Sequence, residues 1–313
     1  MHIGILSRNP NLFSTRRLAA AARERGHATD ILDTTSIAVH IGHSDLLPGE
    51  AHHLVGGIPG TAAAVKLPQL DAVIPRIGTS VTFYGLAVVR QFETAGVLTT
   101  ASSGGIACSR DKLHSLQVMT QAGLPIPRTA VVARPEALYA AVEAVGGLPA
   151  VVKLIHGTQG RGVFLAHQLA TVSALLQRVA ELNRQAIVQE FIAEAGGRDL
   201  RLIIVGKRCV AAMERRAPPG EFRANLHRGG TGTSFSPDAA TAALAVAAAQ
   251  AHGLAVAGVD LVPSRRGPLV LEVNSSPGLE GIEKVTGVDV AGHIIDYVEY
   301  KFHRRAASRK STR

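Results

Sequence analysis

The sequence has 313 residues, of which 46% are hydrophobic, a composition typical of a globular protein with two or three domains. Its formal net charge is +9, but residues 301–313 hold six Lys or Arg and no acid, so residues 1–300 carry only 27 basic against 24 acidic residues. This near balance argues against a nucleic-acid-binding protein, which would spread its basic residues over a folded face. We therefore predict no sequence-specific nucleic-acid partner.

The cysteines and the apolar stretches indicate where such a protein works. Cys108 and Cys209 are far apart in the sequence, which fits a reducing cytoplasm better than a disulfide framework. The N-terminal stretch "MHIGILSRNP" has an apolar run too short for a signal peptide. The Ala-rich stretch 242–259 is interrupted by polar residues and a glycine, so it predicts a buried helix leading into a strand rather than a membrane span. We expect a soluble cytoplasmic protein without a membrane partner.

Residues 1–108 have the pattern of an α/β domain. The strands "HIGIL" and "DAVIPRIG" are each followed by a helical pattern, at 14–25 and at 83–96, which predicts a parallel sheet. The first strand-to-helix turn, "SRNPNLFST", lacks the glycines that a dinucleotide-binding turn requires. We therefore predict an N-terminal α/β domain that does not bind a dinucleotide.

Two further domains and a tail follow. The helix in "SRDKLHSLQVMTQAGLPIP", with Ser109 or Asp111 as its N-cap, opens a run of strands and helices that predicts a small α+β domain at 109–190. Strands in "RDLRLIIVGKRCVAAMERR" and a final hairpin predict a larger domain at 191–300. Residues 301–313 have no apolar periodicity, so we expect a disordered, solvated basic tail.

The clearest chemical signal is the hairpin "GVDLVPSRRGPLVLEVNSS". If its turn is centred on Arg266, Asp260 lies opposite Glu272, and Asn274 shares their face because side chains alternate with a period of two. Two carboxylates and an amide oxygen form a hard ligand set that suits Mg²⁺ and does not suit structural zinc. We predict that Asp260, Glu272 and Asn274 bind magnesium. The opposite face is expected to be apolar and contains Val259, Leu261, Leu271 and Val273.

The stretch "VVKLIHGTQGRGV" is a candidate phosphate site. Lys153 lies in an apolar strand before a glycine-rich loop that contains Gly160 and Gly162. Glycines let backbone N–H groups approach a phosphate closely, and the lysine supplies a point charge to the same anion. This predicts a phosphate-covering flap, although an ordinary hairpin loop beside a surface lysine fits the pattern equally well. The lysine precedes the glycines, which excludes a Walker A loop.

Weaker signals follow along the chain. "IVQEFI" offers an apolar strand edge to a base, with Glu190 and Phe191 at its polar end, and Asp199 is a candidate for ribose hydroxyls. Phe191 alone fits a core residue better than a stacking one. The stretch "ERRAPPGEFRANLHRGG" holds guanidinium groups that suit carboxylate or phosphate partners, with an exposed basic loop as the alternative. Around Asn225 lie Arg215, Arg216, Arg223, His227 and Arg228.

The order of these motifs resembles the ATP-grasp carboxylate-amine ligases: a lysine before a glycine-rich flap, a Gln-Glu segment, an aspartate, Arg-x-Asn, then Asp and Glu-x-Asn. Within them, "PRIGTSVTFYG", "VVKLIHGTQGRGV", "ERRAPPGEFRANLHRGG" and "LEVNSSPGLEGIEKVTG" resemble the RimK glutamate ligases, over residues 1 to about 300. The resemblance implies an ATP-grasp fold, α/β and α+β in class, with an N-terminal α/β domain preceding the ATP-grasp domains.

The resemblance also implies roles for individual residues. Glu190 and Phe191 would contact adenine and Asp199 the ribose. The nucleotide-binding set would be Lys112, Lys153, Gly160, Gly162, Glu190, Phe191, Asp199, Arg223 and Asn225. The catalytic set would be Lys153, Arg215, Arg223 and Asn225. Two Mg²⁺ ions, or Mn²⁺ in their place, would bind Asp260, Glu272 and Asn274.

The implied reaction joins the α-amino group of L-glutamate to the C-terminal carboxylate of a small-subunit ribosomal protein. ATP would convert that carboxylate to an acyl phosphate and leave as ADP. The implied enzyme is a homo-oligomer, a tetramer. Two alternatives stay open: a sister ligase with a small-molecule or carrier-protein acceptor, and a non-catalytic nucleotide- or RNA-binding module. The second should lack a magnesium ligand, and all three candidates are present in the sequence.

Overall fold

The computed structural model describes residues 1–39, 54–57, 64–132, 135–154, 162–181, 186–224, 226 and 229–311. Within these ranges the strands form four sheets. The N-terminal region holds a parallel sheet and a small antiparallel one, and each of the two following regions holds one antiparallel sheet.

The first sheet is parallel and belongs to the N-terminal domain. Its region consists of β1 (His2–Leu6), α1 (Phe13–Glu24), β2 (Ala28–Leu32), β3 (Ile37–Val39), β4 (Leu54–Gly57), β5 (Ala64–Lys66), β6 (Ala72–Pro75), α2 (Thr82–Thr94) and β7 (Leu98–Thr99). The strand order is β2-β1-β6-β7, with every pair parallel, while β3, β4 and β5 form the small antiparallel sheet. The apolar run of β1 is buried because helices cover a parallel sheet. The predicted parallel α/β domain is confirmed.

Two short helices connect this domain to the second sheet. They are α3 (Ser103–Arg110) and α4 (Lys112–Gln121). Asp111 separates them, and its carboxylate accepts hydrogen bonds from the backbone N–H groups of Leu113 and His114 at 3.0 Å each. Asp111 is therefore the N-cap of α4, one of the two candidates that the sequence offered.

The second sheet is antiparallel. Its region consists of β8 (Thr129–Val132), α5 (Leu138–Ala144), β9 (Ala150–Leu154), β10 (Val163–Ala166), α6 (Leu169–Glu181) and β11 (Ala186–Glu190), and the strand order is β10-β9-β11-β8. Val152 and Val188 pack against the helices on one face. Because side chains alternate, Val151, Lys153 and Ile187 face the other way, into a cleft.

The third sheet is also antiparallel and is the largest. Its region consists of β12 (Arg198–Val205), β13 (Arg208–Arg216), β14 (Thr231–Ser234), α7 (Ala239–Ala251), β15 (Val256–Val262), β16 (Leu269–Asn274), α8 (Glu280–Thr286) and α9 (Val290–Ser311). The strand order is β14-β13-β12-β15-β16, so β12 and β15 lie in the interior of the sheet. Side chains on these two strands are consequently more sheltered from water than those at the edges.

The Ala-rich stretch 242–259 forms most of α7 and the first half of β15, as the sequence predicts. Ala245, Ala248 and Ala249 are fully buried, so their small side chains let α7 lie close to the sheet. None of the helices in the described ranges combines the length and the hydropathy needed to cross a bilayer.

The C-terminal helix differs from the prediction for residues 301–313. Instead of a disordered tail, α9 continues without a break through Ser311. Its first turns are fixed by burial, since Ile294, Ile295 and Val298 are almost completely inaccessible. Adding residues to an existing helix avoids the cost of nucleation, and Arg, Lys and Ala are good helix formers. The basic residues at its end also interact favourably with the helix dipole.

Helix α9 packs against α1 of the N-terminal domain, so the two domains share a hydrophobic core. Leu18 of α1 and Ile295 of α9 belong to the same buried cluster. At its margin Arg25 donates to Asp296 at 2.7 Å, and Arg17 donates to Asp289 at 2.5 Å. The first and third sheets are therefore held together by one hydrophobic core, which includes residues on both sides of the predicted domain boundaries.

This packing predicts a contrast along α9. Ile295→Ala should lower the free energy of unfolding by about 2–5 kcal/mol, because it leaves a cavity in a shared core. Deleting residues 303–313 should lower it by less than about 1 kcal/mol, since residues 303–308 are exposed. Urea denaturation of both variants measures this contrast. A deletion as costly as Ile295→Ala would contradict it.

Candidate active site

A cleft between the second and third sheets, with α4 at one side, brings together most of the residues that the sequence singled out. Nine predicted site residues line it: Lys112, Lys153, Glu190, Phe191, Asp199, Arg215, Arg223, Asp260 and Glu272. Gly162 precedes β10 with a φ of 76°, a left-handed conformation that favours glycine. Gly160, Asn225, His227 and Arg228 lie outside the described residues.

The hairpin that holds the predicted metal ligands has the predicted register where these residues lie. Asp260 of β15 pairs with Glu272 of β16, and Gly258 pairs with Asn274. Nearer the turn the register shifts by one residue, so that Leu261 pairs with Val270.

This shift is a β-bulge at Leu271, and it corrects one prediction. In a bulge two successive residues oppose one residue of the partner strand. Leu271 consequently lines the cleft beside Glu272 instead of lying on the opposite, apolar face. The cleft gains an apolar wall next to a carboxylate.

Asp260 is held by two guanidinium groups. Arg201 of β12 donates to it from Nε at 2.7 Å and from Nη2 at 2.5 Å, and Nη2 of Arg215 lies 3.1 Å from its Oδ2. Arg215, from β13, also donates to Asp199 at 2.6 and 2.8 Å. Three adjacent strands thus contribute to one buried ion network in which cations and anions alternate.

The burial of this network shifts the pKa values of its members. Burial alone would raise the pKa of Asp260, but the charges of Arg201 and Arg215 outweigh it and hold that pKa below its ordinary value. Burial lowers the pKa of Arg215, and the carboxylates of Asp260 and Asp199 more than reverse that effect. Burial raises the pKa of Asp199, and Arg215 opposes the rise. Asp260 is therefore kept ionised, which its predicted role as a metal ligand requires.

The predicted ligands fit a hard divalent cation. Oδ1 of Asp260 accepts one of the hydrogen bonds above and keeps a lone pair. Within the described residues Glu272 makes no hydrogen bond or ion pair, and its side chain is exposed to the cleft. Oδ1 of Asn274 can serve as a third oxygen ligand, whereas its buried Nδ2, which has no hydrogen-bond partner, is a donor and does not bind a cation. The donors are oxygen atoms, which Mg²⁺ prefers.

Asn274 is positioned by the turn that follows it. Pro277 folds back over β15, and a Cβ atom built on Gly258 would lie 2.9 Å from the Cβ of Pro277. Only glycine fits opposite Asn274 without moving this turn. The Pro-Gly turn after the strand therefore fixes where the amide lies.

Lys153 faces the carboxylates from the second sheet. Its Nζ donates to Oε1 of Gln189 at 2.5 Å, and Nε2 of Gln189 donates to Thr129 at 2.9 Å. Burial lowers the pKa of Lys153 to about 8, with Glu272 opposing the shift and Lys112 adding to it. Such a desolvated ammonium group is stabilised by a nearby anion, which suits the predicted role at a phosphate.

Lys112 enters the same cleft from the first turn of α4. Burial lowers its pKa, and the charge of Glu272 partly restores it. Helix α4 is tethered one turn later, where Oγ of Ser115 lies 2.8 Å from Nε2 of His252 at the end of α7. The His252 ring is held in turn by the carbonyl of Ala248 at 2.8 Å from Nδ1. The two lysines thus lie on different elements, and the charge of Glu272 acts on both.

Arg223 connects the third region to the second sheet. It donates to Glu221 from Nε at 2.9 Å and from Nη2 at 2.6 Å, and its Nη1 donates to the carbonyl of Val163 in β10 at 3.1 Å. The hydrogen bonds from Arg223 hold the pKa of Glu221 down at about 2. Arg223 therefore lies beside the strand that follows the glycine-rich loop.

Glu190 and Phe191 form the far end of the cleft. Glu190 accepts from Arg266 at 2.7 Å and from the backbone N–H of Arg128 at 3.1 Å. The Phe191 ring meets that of Phe222 edge to face, with centroids 6.1 Å apart. This end of the cleft is partly aromatic, and aromatic rings can stack on a planar base.

Sequence reasoning missed several residues that line the cleft or hold its side chains in place. Arg201 could have been found from its spacing, because it shares a face of β12 with Asp199. The adjacency of β12 and β15, which places Arg201 on Asp260, has no signal in the sequence. The same holds for Phe222 and Gln189, whose partners come from other segments.

The ion network yields a stability prediction with a matched control. Arg215→Met should lower the free energy of unfolding by about 3–5 kcal/mol, because it leaves Asp199 and Asp260 buried beside a single remaining guanidinium. Arg216→Met should change it by less than about 0.5 kcal/mol, since that side chain is 62% exposed. Chemical denaturation compares the two variants. Equal stabilities would show that the network contributes nothing to folding.

Comparison with known proteins identifies the family. Residues 109–298 match the RimK-like ATP-grasp domain, and residues 1–106 match the RimK PreATP-grasp domain. The chain is 48% identical to proteins named "Probable alpha-L-glutamate ligase" from Saccharophagus degradans and Pseudoalteromonas translucida. These matches cover 96% of this chain and 95% of the first relative, and 100% and 98% for the second.

A solved structure supports the fold. The ATP-grasp ligase PsnB, complexed with a phosphomimetic variant of its minimal precursor, Mg and ADP, superposes with a TM-score of 0.71 at 20% identity. The match covers 96% of this chain and 97% of PsnB. Together with the family matches, it confirms the resemblance that the four motifs suggested. The chain belongs to the RimK-like ATP-grasp family of ligases.

Proposed function

We propose that this enzyme forms an amide bond between the α-amino group of L-glutamate and the C-terminal carboxylate of a small-subunit ribosomal protein, with ATP as the energy source. The names of its relatives support glutamate as the amino substrate. One structural observation carries the chemistry: the cations of Lys112 and Lys153 face the carboxylates of Asp260 and Glu272 across a single cleft.

This arrangement of charges suits a nucleoside triphosphate with bound divalent cations. Phosphates alone would be repelled by the carboxylates, and cations alone by the lysines. A metal–phosphate complex presents both signs of charge. Mg²⁺ bound by Asp260, Glu272 and Asn274 would neutralise charge on the transferred phosphoryl group. Lys153, Lys112 and Arg223 would bind the phosphates.

The proposed chemistry has two steps. A carboxylate is a poor electrophile, so its oxygen first attacks the γ-phosphorus of ATP, and the bond to ADP breaks. The resulting acyl phosphate is attacked by the amino group of glutamate, which loses a proton. Collapse of the tetrahedral intermediate then expels phosphate. Preorganised cations around the transferred group stabilise the charge that develops, which is usually the largest contribution to catalysis of this kind.

Oxygen labelling tests this sequence of steps. An acceptor labelled with heavy oxygen in its C-terminal carboxylate should yield ADP and singly labelled phosphate, in proportion to the amide bonds formed. The label transfers because the attacking carboxylate oxygen leaves with the phosphate. Mass spectrometry of the phosphate and chromatography of the nucleotides measure both products. AMP as a product, or unlabelled phosphate despite ligation, would refute the acyl-phosphate mechanism.

A second experiment identifies the acceptor. The candidate ribosomal protein is incubated with enzyme, ATP, Mg²⁺ and glutamate, and its C-terminal peptide is analysed by mass spectrometry. Mass increases of whole glutamyl units support the proposal and count the residues added. ADP release with a small-molecule or carrier-protein acceptor, and not with the ribosomal protein, would favour the sister-ligase alternative.

The metal ligands predict a loss of activity without a loss of fold. Glu272→Ala and Asn274→Ala should each lower kcat at least 100-fold, because each removes a metal ligand and little core volume. Glu143→Ala, on the exposed face of α5, is the control and should retain full activity. Thermal unfolding checks that all three variants are folded. Near-normal turnover of both ligand variants at saturating Mg²⁺ would refute the metal assignment.

Other features of the enzyme are implied by the family resemblance or expected from composition, and they stay predictions. We expect two ions, with Mn²⁺ able to replace Mg²⁺, and a homotetramer in the cytoplasm. The two free cysteines are consistent with a reducing compartment.

A further inference from the structure

We propose that Arg76 and Arg110 form a second anion site, beside the metal ligands, that binds a carboxylate of a substrate. The site lies between the end of β6 in the N-terminal domain, the end of α3 and the residues that follow β16. The identity of its ligand rests on the proposed function, because the carboxylates available are those of L-glutamate and of the acceptor's C-terminus.

The backbone geometry brings these elements together. Nη2 of Arg110, the last residue of α3, donates to the carbonyl of Ile77 at 2.7 Å, directly after Arg76. Oγ of Ser276, two residues after Asn274, lies 3.5 Å from the carbonyl of Pro75, directly before Arg76. Arg76 is thus flanked on one side by α3 and on the other by the turn that follows the candidate metal ligand Asn274.

Polar atoms at this junction have no partner. Among the described residues, the Arg76 side chain makes no hydrogen bond and no ion pair. Nε of Arg110 and Oγ of Ser275 are buried without a hydrogen-bond partner, and Ser275 is only 4% exposed. Buried donors that are left unsatisfied cost free energy, so several at one junction indicate a ligand that accepts from them.

The charges at the junction favour an anion. Burial, together with the neighbouring charge of Arg110, lowers the pKa of Arg76 to about 10. Burial also lowers the pKa of Arg110, with Glu272 as the opposing charge. Glu272 is the proposed metal ligand, and a bound cation would compete for its charge. With a cation bound to Glu272, the guanidinium groups of Arg76 and Arg110 would lie side by side without a carboxylate to balance their charge.

A carboxylate is the ligand class that this chemistry selects. The planar fork of a guanidinium group binds a carboxylate through two parallel hydrogen bonds. The nucleotide phosphates have Lys112 and Lys153 in the cleft. In the proposed reaction, the acceptor carboxylate and the amino acid lie on the side of the metal that faces away from the adenine of ATP. The N-terminal domain contributes Arg76 next to the proposed metal ligands. Glutamate brings a side-chain carboxylate that takes no part in bond formation and can serve as an anchor.

The main test is steady-state kinetics of Arg76→Met. The KM for L-glutamate or the KM for the acceptor should rise at least tenfold, with the KM for ATP changed less than twofold. A rise for glutamate alone assigns its carboxylate to the site, and a rise for the acceptor alone assigns the C-terminal carboxylate. Arg90→Met, an exposed arginine on α2 without a side-chain partner in the described residues, is the control and should leave all three constants unchanged.

Stability separates ligand binding from a structural role. In the absence of substrates Arg76→Met should unfold at the same temperature as the wild type or at a higher one, because it removes a desolvated charge beside Arg110. A structural arginine would give a lower unfolding temperature. Arg76→Lys keeps the positive charge but lacks the planar guanidinium group, so it should recover only part of the affinity for the carboxylate substrate that Arg76→Met loses.

The outcomes distinguish this inference from the proposed function. A raised KM for ATP, three unchanged KM values, or a marked loss of stability in Arg76→Met would each overturn the carboxylate site while leaving the ligase proposal intact. If the wild-type enzyme ligates an amino acid other than glutamate, the proposed substrate is wrong. Arg76→Met should then raise the KM of that amino acid or of its acceptor, and failure to do so would overturn the site as well.

Discussion

The buried carboxylate of Asp260, held between Arg201 and Arg215, is the interaction on which the rest of the site depends. Three adjacent strands supply the members of this network, so its hydrogen bonds fix the registers of β13, β12 and β15 relative to one another. Desolvating these charges is costly, and the cost is recovered only when every member has its partner. The next strand pairs with β15, which places Glu272 directly opposite Asp260.

The positive and negative charges of the cleft stay apart because they lie on separate parts of the fold. Lys112 lies on a helix, Lys153 on the second sheet and Glu272 on the third, so none of them neutralises another at ion-pair distance in the described residues. The pKa values of the two lysines nevertheless depend on Glu272, whose charge raises both against the effect of burial. A ligand that carries both positive and negative charge can therefore pair with the lysines and with Glu272 at the same time, which these side chains do not do with one another in the described ranges.

The N-terminal domain takes part in the site through its packing. Helix α9 returns to α1 and shares a core with it, which holds the first sheet against the third. The end of β6 consequently meets the turn after β16, and Arg76 lies beside the proposed metal ligands. A domain that lacks a dinucleotide-binding turn thus contributes one guanidinium group, that of Arg76, where the reacting substrates of the proposed ligase would lie.

The sequence by itself determined the fold class, the pairing of Asp260 with Glu272 and the separation of Lys153 from its helix-facing neighbours, because strand alternation and hairpin pairing are local. It did not determine the bulge at Leu271, since the hairpin turn leaves the register open by one residue. Helix α9 beyond residue 300 was also undetermined, because its stability comes from buried turns that pack on α1. Only the tertiary structure decided that Arg201 reaches Asp260 and that Arg76 meets Arg110, since these pairs join segments far apart in the chain.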